Sequence, residues 1–124
     1  MKIRIKGNSI RIRLSRSEVD NFGKTGYLEE KTVFGSSTLM YVLQTVTDGD
    51  ALSATFHDSK ITMNVPAAIT NGWAASDTVG FDNQMDTGNA NQLYLLLEKD
   101  FKCVDAPPNE DQSDNYEHPT LSCS

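Results

Sequence analysis

Five cations crowd the first thirteen residues: Lys2, Arg4, Lys6, Arg11 and Arg13. Isoleucines alternate with them, at positions 3, 5, 10 and 12. In an extended chain neighbouring residues point to opposite faces, so this spacing lays the cations along one face and the isoleucines along the other. A row of Lys and Arg is chemistry for anions: it pairs with phosphates, and Arg also addresses guanine edges. An ordinary solvated strand face carries the same pattern, so the cations are binding candidates and not a signature.

Other chemistry finds less support. The two histidines, His57 and His118, sit in no serine- or cysteine-nucleophile pattern. Gly7, Gly23, Gly26 and Gly35 are isolated, which suits turns and caps rather than a phosphate-cradling loop. Glu29 and Glu30 are adjacent on an expected strand, point opposite ways and cannot share a substrate. Cys103, His118 and Cys123, with Asp105, lack the paired-cysteine spacing of zinc sites. The expectation is a non-enzyme with no metal and no cofactor. Its two cysteines are expected as reduced thiols in a cytoplasmic protein.

The elements that hold the cations must fit in 124 residues, which argues for one domain. Hydrophobic residues make up 38% and charged residues 23%, a globular balance. No apolar run approaches the ~18 residues of a membrane span, and no signal-peptide core follows Met1. The net charge of −6 is unevenly spread. Residues 1–34 carry eight cations against four anions, whereas residues 35–124 carry three against thirteen. Such a split hints at a partner or an acidic tail.

Residues 2–14 read as a hairpin turning at Gly7-Asn8. Ser15 and Glu18 then form a capping box, with Leu14 and Val19 as its staple, and the helix ends at Gly23 or Gly26. Residues 27–34 and 39–46 are β-rich. Residues 51–57 and 60–65 read as a second hairpin. Pro66 opens a second helix that places Ile69 and Trp73 on one face. Residues 78–81 read as a strand, 82–91 as a polar loop and 93–97 as an apolar strand.

A shift of 51 residues overlays Ile10, Ile12, Leu14, Phe22 and Leu28 on Ile61, Met63, Val65, Trp73 and Val79. The expected fold class is therefore α+β: a small, mostly antiparallel β-barrel with two short helices. It is built from two pseudo-repeated β-β-α-β-β halves, residues 1–47 and 48–99, in one domain spanning 1–102. Residues 103–124 form an acidic extension with few hydrophobes. Its interaction candidates are Glu110, Asp111, Asp114, Tyr116 and Glu117. They suit a protein partner, with Val104, Tyr116 and Leu121 as apolar anchors, or the chain's own basic hairpin, which they would mask.

The stretch Lys6-Gly7-Asn8-Ser9-Ile10-Arg11-Ile12-Arg13-Leu14-Ser15 resembles the N-terminal hairpin of the AbrB/MazE swapped-hairpin family. Gly7-Asn8-Ser9 and Arg13-Leu14 match that pattern, and Ser15 stands where the family has proline. The resemblance implies a barrel of two interleaved units, here supplied by one chain as a monomeric pseudo-dimer. It also implies DNA contacts at Asn8 and Arg13, with Arg4 near a family basic position and Arg11 an added cation on the same face. The family's antitoxins use an acidic C-terminal segment to wrap a basic toxin. The matching positions of the second half are Ser59, Thr62 and Asn64, so its hairpin lacks the cations. The whole chain also resembles small bacterial proteins of a domain-of-unknown-function family, through its hairpin start and the run from Glu98 to Tyr116. The expected function is a regulatory or interaction module binding DNA or another anionic partner through the basic hairpin. The alternative is a protein-interaction or scaffold domain whose tail masks that hairpin.

Overall fold

Alternating side chains build the first element. The computed structural model describes residues 1–101 and 113–117. Strands β1 (Lys2–Ile5) and β2 (Ser9–Leu14) pair antiparallel. Their turn closes with reciprocal backbone bonds between Lys6 and Ser9, at 3.1 and 3.2 Å. Helix α1 (Arg16–Thr25) follows and carries the complete capping box: Glu18 N–H donates to Ser15 Oγ, and Ser15 N–H donates to the Glu18 carboxylate. Two orphan N–H groups are thereby satisfied. Gly26, left-handed at φ 71°, ends the helix.

Strands β3 (Tyr27–Val33) and β4 (Thr38–Val46) make the next hairpin, and β5 (Ser53–His57) and β6 (Lys60–Pro66) the third. A four-residue helix α2 (Ala67–Thr70) and a 3₁₀ turn (Trp73–Ala75) come next. Strands β7 (Gly80–Gly88) and β8 (Asn91–Lys99) complete the series.

The strands form two four-stranded sheets, β1-β2-β8-β7 and β3-β4-β6-β5. Each sheet joins two antiparallel hairpins through a parallel central pair, β2 with β8 and β4 with β6. Each takes one hairpin from residues 1–47 and one from residues 48–99. The expected closed barrel is not found: no strand pairing among the described residues joins the two sheets. Side-chain bonds bridge them instead, such as Asn83 Nδ2 to the Leu52 carbonyl at 2.8 Å.

The core comes from the inward rows. Across the first sheet, one row runs Ile3, Ile12, Leu97, Phe81; across the second, Ala54, Met63, Leu43, Leu28. Ile12, Leu97, Met63 and Leu43 are fully buried. Each such side chain contributes about 1.5–3 kcal/mol on burial. Val19 and Phe22 of α1 and Trp73 cap this core, and Trp73 packs on Phe81 with ring centroids 5.2 Å apart.

Three expectations change. The second helix is broken: Gly72 adopts φ 75°, so Ile69 and Trp73 sit on separate turns, and Pro66 ends β6 with Ala67 as the first helical residue. Residues 82–88 are strand, not loop. Phe81, Asn83 and Met85 turn inward and Asp82, Gln84 and Asp86 outward, a period of two that the polar composition disguised. Leu28 and Phe81 each oppose a buried leucine of the neighbouring strand, whereas Val79, expected to match Leu28, lies outside β7 and is exposed.

Candidate functional site

The register fixes where the cations go. Lys2 opposes Arg13, and Arg4 opposes Arg11, so all four share the outer face of the first sheet. Strand β8 continues this face: Arg13 lies beside Glu98, Arg11 beside Leu96 and Ser9 beside Tyr94. Arg4, Lys6, Ser9, Ile10, Arg11, Tyr94 and Leu96 line a depression of about 340 Å³. Three of these residues are cations and none is an acid.

The five cations are not equivalent. Arg13 Nε donates to Glu98 Oε1 at 2.8 Å, and Arg11 Nε lies 3.4 Å from the same oxygen. Lys2 Nζ pairs with the buried Asp100 at 2.9 Å. Arg4 and Lys6 are exposed and have no ion pair among the described residues. One end of the hairpin face is thus neutralised by Glu98, near the end of β2's parallel neighbour β8, and by Asp100 just beyond it, while no acid among the described residues pairs with the turn end.

Asn8 has a structural task. Its amide donates to the Gln92 carbonyl, and its own carbonyl accepts from Tyr94 N at 3.0 Å. Both bonds tie the hairpin turn to the start of β8. Tyr94 Oη donates to Asp82 at 3.0 Å. Burial first, then that bond and the nearby carboxylate, hold the Tyr94 hydroxyl above its ordinary pKa, so it presents a neutral O–H beside the cations.

The tail residues lie elsewhere. Ser113–Glu117 docks at the N-terminus of α1 and not across the basic face. Arg16 N donates to the Asp114 carbonyl at 2.8 Å, and Ser17 donates to the Asp114 carboxylate through both its N–H and its hydroxyl. These bonds, the Ser17 hydroxyl first, hold the Asp114 carboxyl below its ordinary range. A carboxylate here satisfies orphan helix N–H groups and meets the positive end of the helix dipole. Tyr116 N donates to the Asp100 carbonyl at 2.8 Å, and the ring sits against Phe101, Arg16 and Lys99. Helix capping and the Arg16–Lys99 aromatic notch thus hold Asp114 and Tyr116 at the start of α1. Glu110, Asp111, Val104, Leu121, Cys103, Cys123 and His118 lie outside the described residues.

The other concavities differ in kind. A groove of about 970 Å³ between α1 and the α2–3₁₀ segment is lined by Phe22, Trp73 and many small residues. The cleft under the docked tail mixes Arg16 and Lys99 with Asp20, Asp77 and Glu117. On the second sheet, Lys31, His57 and Lys60 line a hollow of about 470 Å³ with Asp58, which pairs with His57 at 3.2 Å. Among the described residues no group of His, Cys, Asp or Glu is placed to hold a metal ion, and no helix is long and apolar enough to cross a membrane.

Sequence reasoning missed Tyr94, Leu96 and Glu98 as members of this face. Their signal was indirect: exchange of hairpins between halves sets β8 beside β2. It also missed Asp114 as a second cap for α1, a contact between residues almost a hundred positions apart.

No curated protein matches the chain, and no solved structure matches it. A family model described as a family of unknown function, DUF7009, matches residues 1–120. With nearly its whole length under that match, the chain belongs to the DUF7009 family.

Proposed function

We propose that this chain is a non-enzymatic interaction module that receives an anionic partner, duplex DNA first, on the outer face of its first sheet. One observation carries the reading: Arg4, Lys6 and Arg11 line a single depression whose lining holds no carboxylate. Ser9 and Tyr94 complete the lining, their hydroxyls donating to the Lys6 carbonyl at 2.8 Å and to Asp82 at 3.0 Å. A cluster of one sign on a low-dielectric floor raises the local concentration of the opposite charge. Asp114 and Tyr116 are held at the start of α1. The resemblance of residues 6–15 to swapped-hairpin regulators favours DNA among anions.

We also infer that residues 1–47 and 48–99 descend from one duplicated β-β-α-β-β unit. Each sheet combines the first hairpin of one half with the second hairpin of the other, and the inward rows correspond position by position. The cations then belong to one copy of a face that the other copy lacks.

The test is fluorescence anisotropy of a labelled duplex against the full chain, over a range of salt. The expected result is binding at low salt whose logarithm falls linearly with log salt. Arg4→Ala with Lys6→Ala should flatten the slope by about two phosphate contacts. Absence of binding at low salt, or binding indifferent to this double change, overturns the reading.

A further inference from the structure

Four strands lie at sheet edges: β1, β7, β3 and β5. An open edge presents unpaired N–H and C=O groups, and proteins usually blunt it with short strands, like charges or bulges. Three of the four are blunted or engaged. Strand β1 is four residues long and its face is cationic. Strand β7 carries a register break between Asp86 and Gly88. Strands β5 and β7 also meet each other, through Ala54 N–H on Met85 Sδ and Asn83 on the carbonyl of Leu52, just before β5.

Among the described residues strand β3 is uncovered on its outer edge, and its charges, Glu29, Glu30 and Lys31, are of both signs rather than one. It spans seven residues in unbroken register with β4, and Glu29 through Val33 are all exposed. Its ends carry exposed apolar side chains: Tyr27 at 42%, Val33 at 69% and Phe34, just beyond, at 67%. The hydrogen-bond phase is fixed by its two ends. The Gly26 carbonyl accepts from Thr45 N, and Phe34 N donates to the Ser37 carbonyl. The even positions therefore bond to β4, and the odd positions turn their backbone groups to the open side. Thr25 Oγ1 takes up those of Tyr27, so new backbone bonds to a second strand fall to Glu29 and Lys31, while Tyr27 and Val33 offer side-chain contacts only.

The geometry points to this edge as a contact between two copies of the chain, pairing antiparallel about a two-fold axis at Glu30. An isologous antiparallel pair keeps each side chain on its own face, so odd residues must oppose odd ones. The register centred on Lys31 would set two lysines directly opposite. The register centred on Glu30 sets Glu29 opposite the other copy's Lys31, twice, and Tyr27 opposite its Val33, twice. Opposite charges and aromatic–β-branched pairs are the favourable cross-strand neighbours. At the axis itself Glu30 meets its own copy, and there the amino group of Met1, 3.6 Å away, offsets its charge.

The experiment is sedimentation equilibrium of the full chain from micromolar to millimolar concentration at low salt. A monomer–dimer equilibrium is expected. Glu29→Lys and Lys31→Glu should each weaken it about tenfold or more, since each reverses two cross-strand pairs. The double variant E29K/K31E should recover wild-type association, because the pairs are restored with exchanged signs. Both positions are exposed, so circular dichroism should show unchanged folding. A chain monomeric throughout, single variants that associate as the wild type does, or a double variant that fails to recover would each overturn the proposal. DNA binding by the first sheet does not enter this test.

Discussion

On the outer face of the first sheet, one row reads Lys2, Arg13, Glu98; at the same place on the second it reads Ser53, Asn64, Gln44. The first row is joined by an ion pair, Arg13 to Glu98 at 2.8 Å. The second is an amide ladder, Gln44 to Asn64 at 2.8 Å and Asn64 to Ser53 at 3.3 Å. One row further, Arg4 and Arg11 face Thr55 and Thr62. The inward rows through Leu97 and Leu43 differ far less, being apolar in both. What the fold needs is therefore the inner pattern, which both sheets keep. Neutral groups suffice in these two rows of the second sheet, and half-exposed ion pairs add little to stability. Stability thus gives a reason for Lys2, which meets the buried Asp100, but none for Arg4 and Lys6, which pair with no acid among the described residues; these two are what the proposed binding would explain.

The comparison can be broken most forcefully in the core. Leu43→Ala and Leu97→Ala occupy matching buried positions and should each cost about 2–5 kcal/mol in urea denaturation. A large loss at one site and none at the other would contradict the matching of the rows. Gly80→Ala should follow: a Cβ there would lie 2.2 Å from the Leu97 carbonyl, so β7 must shift and a lower thermal midpoint is expected.

Outer-face changes should move binding more than stability. Glu98→Gln removes the acid shared by Arg11 and Arg13 and should tighten binding to a labelled duplex. Lys31→Ala and Lys60→Ala, on the second sheet, should leave it unchanged. The smallest effect concerns the tail. Asp114's carboxyl is held below its ordinary value, so its contribution to docking is complete above the ordinary carboxylate range and is lost as pH falls through the lowered value. The protection factor of the Tyr116 amide, the free amide's exchange rate over its own at the same pH, should therefore fall on acidification, and in Asp114→Ala at neutral pH.

Much of this was legible because it is local. The alternation at residues 2–14, the Ser15–Glu18 capping box and the glycine stop at 26 are each written within one turn or one strand. The broken second helix was not, since Ala67–Ala75 contains good helix formers and a single Gly72 decides the break. Strand β7 was hidden because its outward residues are Asp and Gln, common in loops. The site was half legible. The cations announce themselves, but their calibration by Glu98 and Asp100 depends on a parallel pairing across some eighty residues. So does the placement of Asp114, which competes for no cation of the hairpin and caps a helix instead.

The central claim is that the first sheet's outer face, and not its counterpart, receives an anion. A titration of the ¹⁵N-labelled full chain with duplex DNA tests it directly. The account predicts shift changes at Lys6, Ser9, Arg11, Tyr94 and Leu96, with Lys31, His57 and Lys60 unmoved. Changes centred on the second sheet or on the α1 groove, or none at low salt, would contradict it.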